Sequence, residues 1–368
     1  MVLLTQSTFL VLIFCVFLLA QALPTSRPTL HVFGDSLSDT GRLKQLTHGL
    51  IPPPYYWNGR FSSGPVWSEY LSLLLDYSLS NHAVGLAKST GVRRWFLYFI
   101  PLDPPTTHDQ IKEFARENAR YSLIQPTDIA VLEIGANDAN SAFVEIDEGK
   151  QSAYAFANQL SDAVVLQLEM LRQIGFKRIL VANLPSMQHT PIVKRKSRSL
   201  LAATTVAVYN KMLESKAKEW SRSASIDSFS IIDLGEFLNI AMSPSITRAL
   251  GITDSTTFCA SGQWLSLFED HITLLDFLKY VAFESGAETA KDCDDPASVF
   301  FFDPIHPSER VHRLFGYYAF QLFQQVLSSG NSDGDSKTFL TEESLLALIS
   351  KYSLSTTAPK PASVQNKY

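Results

Sequence analysis

"HVFGDSLSDTG", residues 31–41, joins the end of an apolar run to a polar, glycine-containing turn. The run starts at Thr29, and TLHVF (29–33) has the composition of a short buried strand. DIAVLEIG (128–135) and RILVANL (178–184) repeat the pattern, each closing in polar or glycine-containing residues. Helical spacing fills the intervals: GPVWSEYLSLLLD (64–76), THDQIKEFARENAR (107–120) with a Thr107/Gln110 capping box, the segment 152–173, and VAVYNKMLESKAKEW (206–220). Short strands alternating with helices predict an α/β fold, a central and mostly parallel sheet covered by helices. In such sheets functional groups gather beyond the carboxyl ends of the strands, and Ser36, Asn137 and Asn183 all stand just after such runs.

The chain has 368 residues, 46% hydrophobic and 18% charged, with a formal net charge of −5. That is a folded composition with no general attraction for nucleic acid or anionic membranes. Phe9 to Ala20 is an unbroken apolar run shorter than the roughly 20 residues that span a bilayer, and Ala20-Gln21-Ala22 places small residues at a cleavage site. Residues 1–22 therefore read as a secretory signal peptide, although no Lys or Arg precedes the apolar run; an uncleaved membrane anchor is the other reading. No second long apolar run follows, so no transmembrane span is expected in the mature chain. Cys15 lies in the leader, which leaves Cys259 and Cys293 as an even pair for a disulfide in an oxidising compartment. The body is expected at 28–328. Residues 329–368 follow as a Gly/Ser/Asp-rich linker, one short helix at 341–352 and a disordered tail.

A serine hydroxyl needs a base to take its proton, and that base needs an orienting acceptor. FFDPIHPSERVH (301–312) supplies Asp303 and His306 three residues apart, in a turn restricted by Pro304 and Pro307. Attack on an ester also creates an oxyanion, for which EIGANDAN (133–140) offers the Asn137 amide. Tyr55, Tyr56, Trp57, Phe61 and Trp67 either wall a substrate groove or pack a long loop onto the body. The histidines show no metal-ligand spacing.

Four blocks in order carry a resemblance: G-D-S-L at 34–37, N-x-A-x-G at 81–85, G-x-N-D at 135–138 and D-x-x-H at 303–306. Over roughly residues 28–328 the chain resembles the GDSL esterase/lipase family of the SGNH hydrolases. PPPYYWNGRFSSGPVWSEYL (52–71) is similar to the extra segment of their secreted, thermolabile-haemolysin-like and plant-like branch. The resemblance implies a three-layer α/β/α, flavodoxin-like fold and a secreted serine esterase that needs no cofactor and acts on lipid or acetylated carbohydrate esters. It also implies Ser36 as nucleophile, His306 as general base and then acid, and Asp303 as its orienter. The oxyanion hole would come from the Ser36 N–H, a backbone N–H of Gly85 or Leu86, and the Asn137 side chain. Leu86 departs from the pattern, because many members carry a second glycine there, and its Cβ disfavours positive φ. Arg42 also replaces a common asparagine. The competing class is a lipid- or glycan-binding protein on the same scaffold, with its oxyanion hole disabled at Leu86.

Overall fold

The computed structural model describes residues 27–91, 95–96, 100–101, 104–122, 124–260, 295–329 and 340–356. The expected signal peptide and Cys293 lie outside the described residues. Five strands, β1 (Thr29–Gly34), β2 (Ser78–Asn81), β3 (Ile129–Glu133), β4 (Arg178–Ala182) and β5 (Ser228–Ile232), form one sheet. They run parallel in the order β2-β1-β3-β4-β5. Three match the strands expected from sequence. The other two carry no such local signal, because Ser78, Ser80, Ser228 and Ser230 interrupt their apolar pattern.

Side chains alternate across the sheet, and both sides are covered. Leu30, Val32, Val131, Leu180 and Ile232 meet α1 (Trp67–Leu75) and the later helices of that face. Phe33, Leu132, Ile179, Val181 and Phe229 face α2 (Thr107–Tyr121), α4 (Ala153–Ile174) and α5 (Ser199–Ser223). Burying such a side chain stabilises the fold by about 1.5–3 kcal/mol, so the two filled faces hold the layers together. The architecture is therefore the expected three-layer α/β/α. The short helix expected at 341–352 is Glu342–Tyr352; its Leu345, Leu348 and Ile349 join the same core as Phe237 and Phe315. Among the described residues no helix is long and apolar enough to cross a membrane.

One local expectation is corrected. The capping box of α2 uses Thr106 and Asp109, not Thr107 and Gln110: Thr106 Oγ1 accepts from the Asp109 N–H at 3.1 Å, and Asp109 Oδ2 accepts from the Thr106 N–H at 3.2 Å. Gln110 is thereby free to turn inward. It accepts from the Gly34 N–H at 3.0 Å and donates to the Gly34 carbonyl at 2.9 Å, clamping the end of β1 as another strand would.

Strand order reverses at β1 and β3, which opens a crevice beyond their carboxyl ends. Two buried carboxyls meet there. Glu133, the last residue of β3, accepts a hydrogen bond from Ser38 Oγ at 2.9 Å, and its charge acts on the neighbouring Asp35 carboxyl. Burial pushes Glu133 up to about 7; burial and the neighbouring Glu133 charge push Asp35 well above the usual carboxylate range. Between the unfolded carboxylate range, roughly 4, and about 7, the pair holds a proton in the folded chain that the unfolded chain has released. Its contribution to stability is therefore complete below the unfolded value and is lost as pH rises through about 7. In the double variant Asp35→Asn/Glu133→Gln this loss is absent. Its unfolding free energy relative to wild type should rise by on the order of 2 kcal/mol between about pH 5 and 8 in urea titrations. A difference that stays constant over that range would contradict the shared proton.

Candidate active site

The crevice brings Ser36 to Asp303 and His306, which lie at the other end of the domain in sequence. Ser36 follows β1, while Asp303 and His306 follow the strand β7 (Val299–Phe301), which pairs in parallel with β6 (Asp254–Phe258). His306 Nε2 lies 2.7 Å from Ser36 Oγ, and His306 Nδ1 lies 2.6 Å from Asp303 Oδ2. The spacing of D-x-x-H works through the backbone, since Asp303 Oδ1 accepts the N–H groups of Ile305 at 2.7 Å and His306 at 2.8 Å. The turn closes with the Phe302 N–H donating to the His306 carbonyl at 2.8 Å. Asp303 and His306 are wholly buried, and Ser36 is 4% exposed. A carboxylate, an imidazole and a hydroxyl in this relay can take a proton from the hydroxyl and return it to a leaving group.

A fourth member was not foreseen in this role. Tyr56 donates its hydroxyl to Asp303 Oδ2 at 2.7 Å, the same oxygen that faces His306 Nδ1. In PPPYYWNGRF nothing distinguishes this tyrosine from an aromatic that packs a loop, and it does that as well, meeting Phe302 edge-on with ring centroids 5.0 Å apart. Phe61 lies against the His306 ring at 5.1 Å. Of the aromatic stretch, Tyr56, Phe61 and Trp67 are buried as packing.

The 81–87 block is fastened beside Ser36 by two aspartates. Asp39 accepts the backbone N–H groups of Gly41, Arg42, Leu43 and Gly85 at 2.6–3.0 Å. Its burial raises the carboxyl, and those four donors pull it back. Asp138 accepts the Ser89 N–H and hydroxyl, the latter at 2.7 Å. Gly85 as an oxyanion donor is thereby corrected: its N–H is committed to Asp39. Its glycine identity follows from packing, because a Cβ would stand 2.3 Å from the Phe61 ring. Arg42 donates to the His82 carbonyl at 2.7 Å and pairs with Glu113 at 3.1 Å, bracing the block from outside.

Three donors of the candidate oxyanion set stay uncommitted. Asn137, in the first turn of α3 (Ala136–Asp147), donates one amide hydrogen to the Ala87 carbonyl at 2.9 Å and keeps a second. The backbone N–H groups of Ser36 and Leu86 make no hydrogen bond among the described residues. Leu86 sits at φ 66°, in the left-handed conformation a glycine would adopt freely, at a cost of roughly 1–2 kcal/mol. Packing against the cluster of Leu43, Tyr56 and Phe61 offsets that strain. Asn183 stays outside the site: its amide is tied to Asp233 Oδ1 at 2.9 Å and the Gly235 N–H at 3.0 Å. Among the described residues no group of three His, Cys, Asp or Glu side chains could hold a metal ion.

The chain is similar to the phosphatidylcholine-sterol acyltransferase of Aeromonas hydrophila, 26% identical over 306 residues that cover 76% of this chain and 85% of that protein. A GDSL esterase/lipase of Arabidopsis thaliana is 24% identical over 319 residues, 78% of this chain and 84% of the relative. Among solved structures, the carbohydrate acetylesterase Est24 of Sinorhizobium meliloti aligns with 82% of this chain and all of its own (100%), at a TM-score of 0.40 and 14% identity. The pattern of the GDSL-like Lipase/Acylhydrolase family matches residues 30–318, so the chain belongs to that family and is a carboxylic-ester hydrolase.

Proposed function

We propose that Ser36, His306 and Asp303 form the catalytic triad and that hydrolysis passes through an acyl-Ser36 intermediate. The observation that carries the reading is the unbroken relay, 2.7 Å from Ser36 Oγ to His306 and 2.6 Å from His306 to Asp303. His306 takes the Ser36 proton as Oγ bonds the ester carbonyl carbon, then gives it to the departing alkoxide. Water repeats the cycle and frees the acid. The Ser36 and Leu86 N–H groups and the free hydrogen of Asn137 receive the oxyanion. Leu86 supports the hydrolase over the binding protein, because it keeps the backbone turn that aims such a donor. The phosphatidylcholine-sterol acyltransferase named above supports lipid esters as one substrate class, with acetylated carbohydrate esters the other.

The chain is further proposed to be secreted, with residues 1–22 removed and Cys259 bonded to Cys293. Cys259 is buried, and its N–H donates at 3.0 Å to the carbonyl of Phe302, the residue before Asp303. A bridge there would anchor the loop that carries the acid and the base. The secreted protein should begin at Leu23 and take up iodoacetamide at two cysteines only after reduction and unfolding; labelling without reduction would refute the bridge.

Ser36→Ala and His306→Ala should each lower p-nitrophenyl ester turnover by about four orders of magnitude or more while the circular dichroism stays native. Asn137→Ala should cost about 100- to 1000-fold. A fluorophosphonate probe should form its adduct on Ser36, located by peptide mass spectrometry; an adduct elsewhere, or wild-type turnover in Ser36→Ala, rejects the triad. Tyr56→Phe removes one hydrogen bond from Asp303 and leaves its charge for the imidazolium. The acid limb of the kcat/KM profile should then move to higher pH by up to about one unit, since a hydrogen bond to a charged group contributes roughly 1.5–3 kcal/mol and His306 feels part of it. An unmoved limb would make Tyr56 a packing residue only.

A further inference from the structure

A slot opens at Ser36 and His306 and continues into the body, with about 720 Å³ of space when its mouth is included. Asn137 and Asn140 stand in its lining with Ser36, where the ester carbonyl and alcohol would lie. Most of the remaining lining is apolar, with Leu37, Trp67, Phe237, Leu238, Val311 and Phe315 among it. Phe237 and Leu238 come from α6 (Leu234–Ala241), Val311 and Phe315 from α8 (Glu309–Ser329), and all four are at most 4% exposed.

Resting on the serine-hydrolase reading, we infer that this slot is the acyl site, and that it selects a fatty acyl chain of medium or greater length over acetyl. A tetrahedral carbon on Ser36 Oγ directs its oxyanion to the donors of the 81–87 block and Asn137, and its leaving oxygen to His306. The remaining substituent is the acyl chain, and the slot begins at the same atoms and leads away between α6 and α8. An acetyl group is a single methyl and would leave that space unused. Each methylene that enters it can improve transition-state binding by up to about fourfold. Two ionisable groups in the lining do not oppose an apolar guest. Burial raises the Asp35 carboxyl, which favours its neutral form, and pushes His312 down to about 3, so that imidazole is neutral near pH 7. The aromatic stretch 52–67 does not form a competing groove, since Tyr56 and Phe61 are buried and Trp67 lies in the slot wall.

The test compares p-nitrophenyl acetate, butyrate, octanoate and dodecanoate on the full secreted chain, with fluorophosphonate labelling of Ser36 in parallel. The octanoate ester should exceed the acetate by at least about tenfold in kcat/KM. Leu238→Trp, which fills the slot from α6, should reduce that octanoate-to-acetate ratio by at least about tenfold; Val311→Phe does the same from the opposite wall if the first variant folds poorly. Equal or better turnover of acetate in the wild type, or a ratio unmoved in a variant that still labels, overturns the acyl slot and leaves the hydrolase standing. Absence of both labelling and turnover would overturn the hydrolase reading itself.

Discussion

The Asp303 carboxylate is the constraint around which the site is built. It is wholly buried and meets four donors, two backbone N–H groups on one oxygen and Tyr56 and His306 on the other. A buried carboxylate with fewer partners would be costly, so these four groups must arrive together. Two belong to its own turn. Tyr56 comes from a segment about 250 residues away in the chain, 247 by count, and brings the 52–62 loop and Phe61 over His306. The loop, the turn and the strand end are thus mutually dependent.

A similar economy governs the turn after β1. Asp39 gathers backbone donors from its own turn and from Gly85, Gln110 clamps Gly34 from α2, and Asp138 ties Ser89 to α3. These are side chains used as substitutes for strand pairing where the sheet ends. The strained Leu86 and the proton-sharing pair of Asp35 and Glu133 lie within the same few residues. Both are unfavourable in isolation and persist because surrounding packing over-determines them, a pattern that accompanies functional sites.

The layered fold also accounts for where apolar space is available. The sheet's first face is covered by α1, α6 and α8, and residues of these helices line the slot beside Ser36. Its wall residues are the same Phe237, Leu238 and Phe315 that build the core. Core and slot are one surface, which is why no stretch of sequence marks it.

Much of the fold and of the candidate site was legible in the sequence. Apolar runs at 29–33, 128–135 and 178–184 carry strand composition locally, and Ser36, Asn137, Asp303 and His306 stand in short motifs beside strand ends or prolines. Local patterning suffices there because strand burial and tight turns depend on neighbours within a few residues. Strands interrupted by serines, Ser78–Asn81 and Ser228–Ile232, are stabilised by ladder bonds to partners distant in sequence, and no local signal announces them. The same holds for Tyr56 on Asp303, for the Gly85 N–H on Asp39 rather than in the oxyanion hole, and for Gln110 turning from a cap to Gly34. Each is a choice among several chemically competent partners, and only the packing of the three layers decides which one comes within hydrogen-bonding distance.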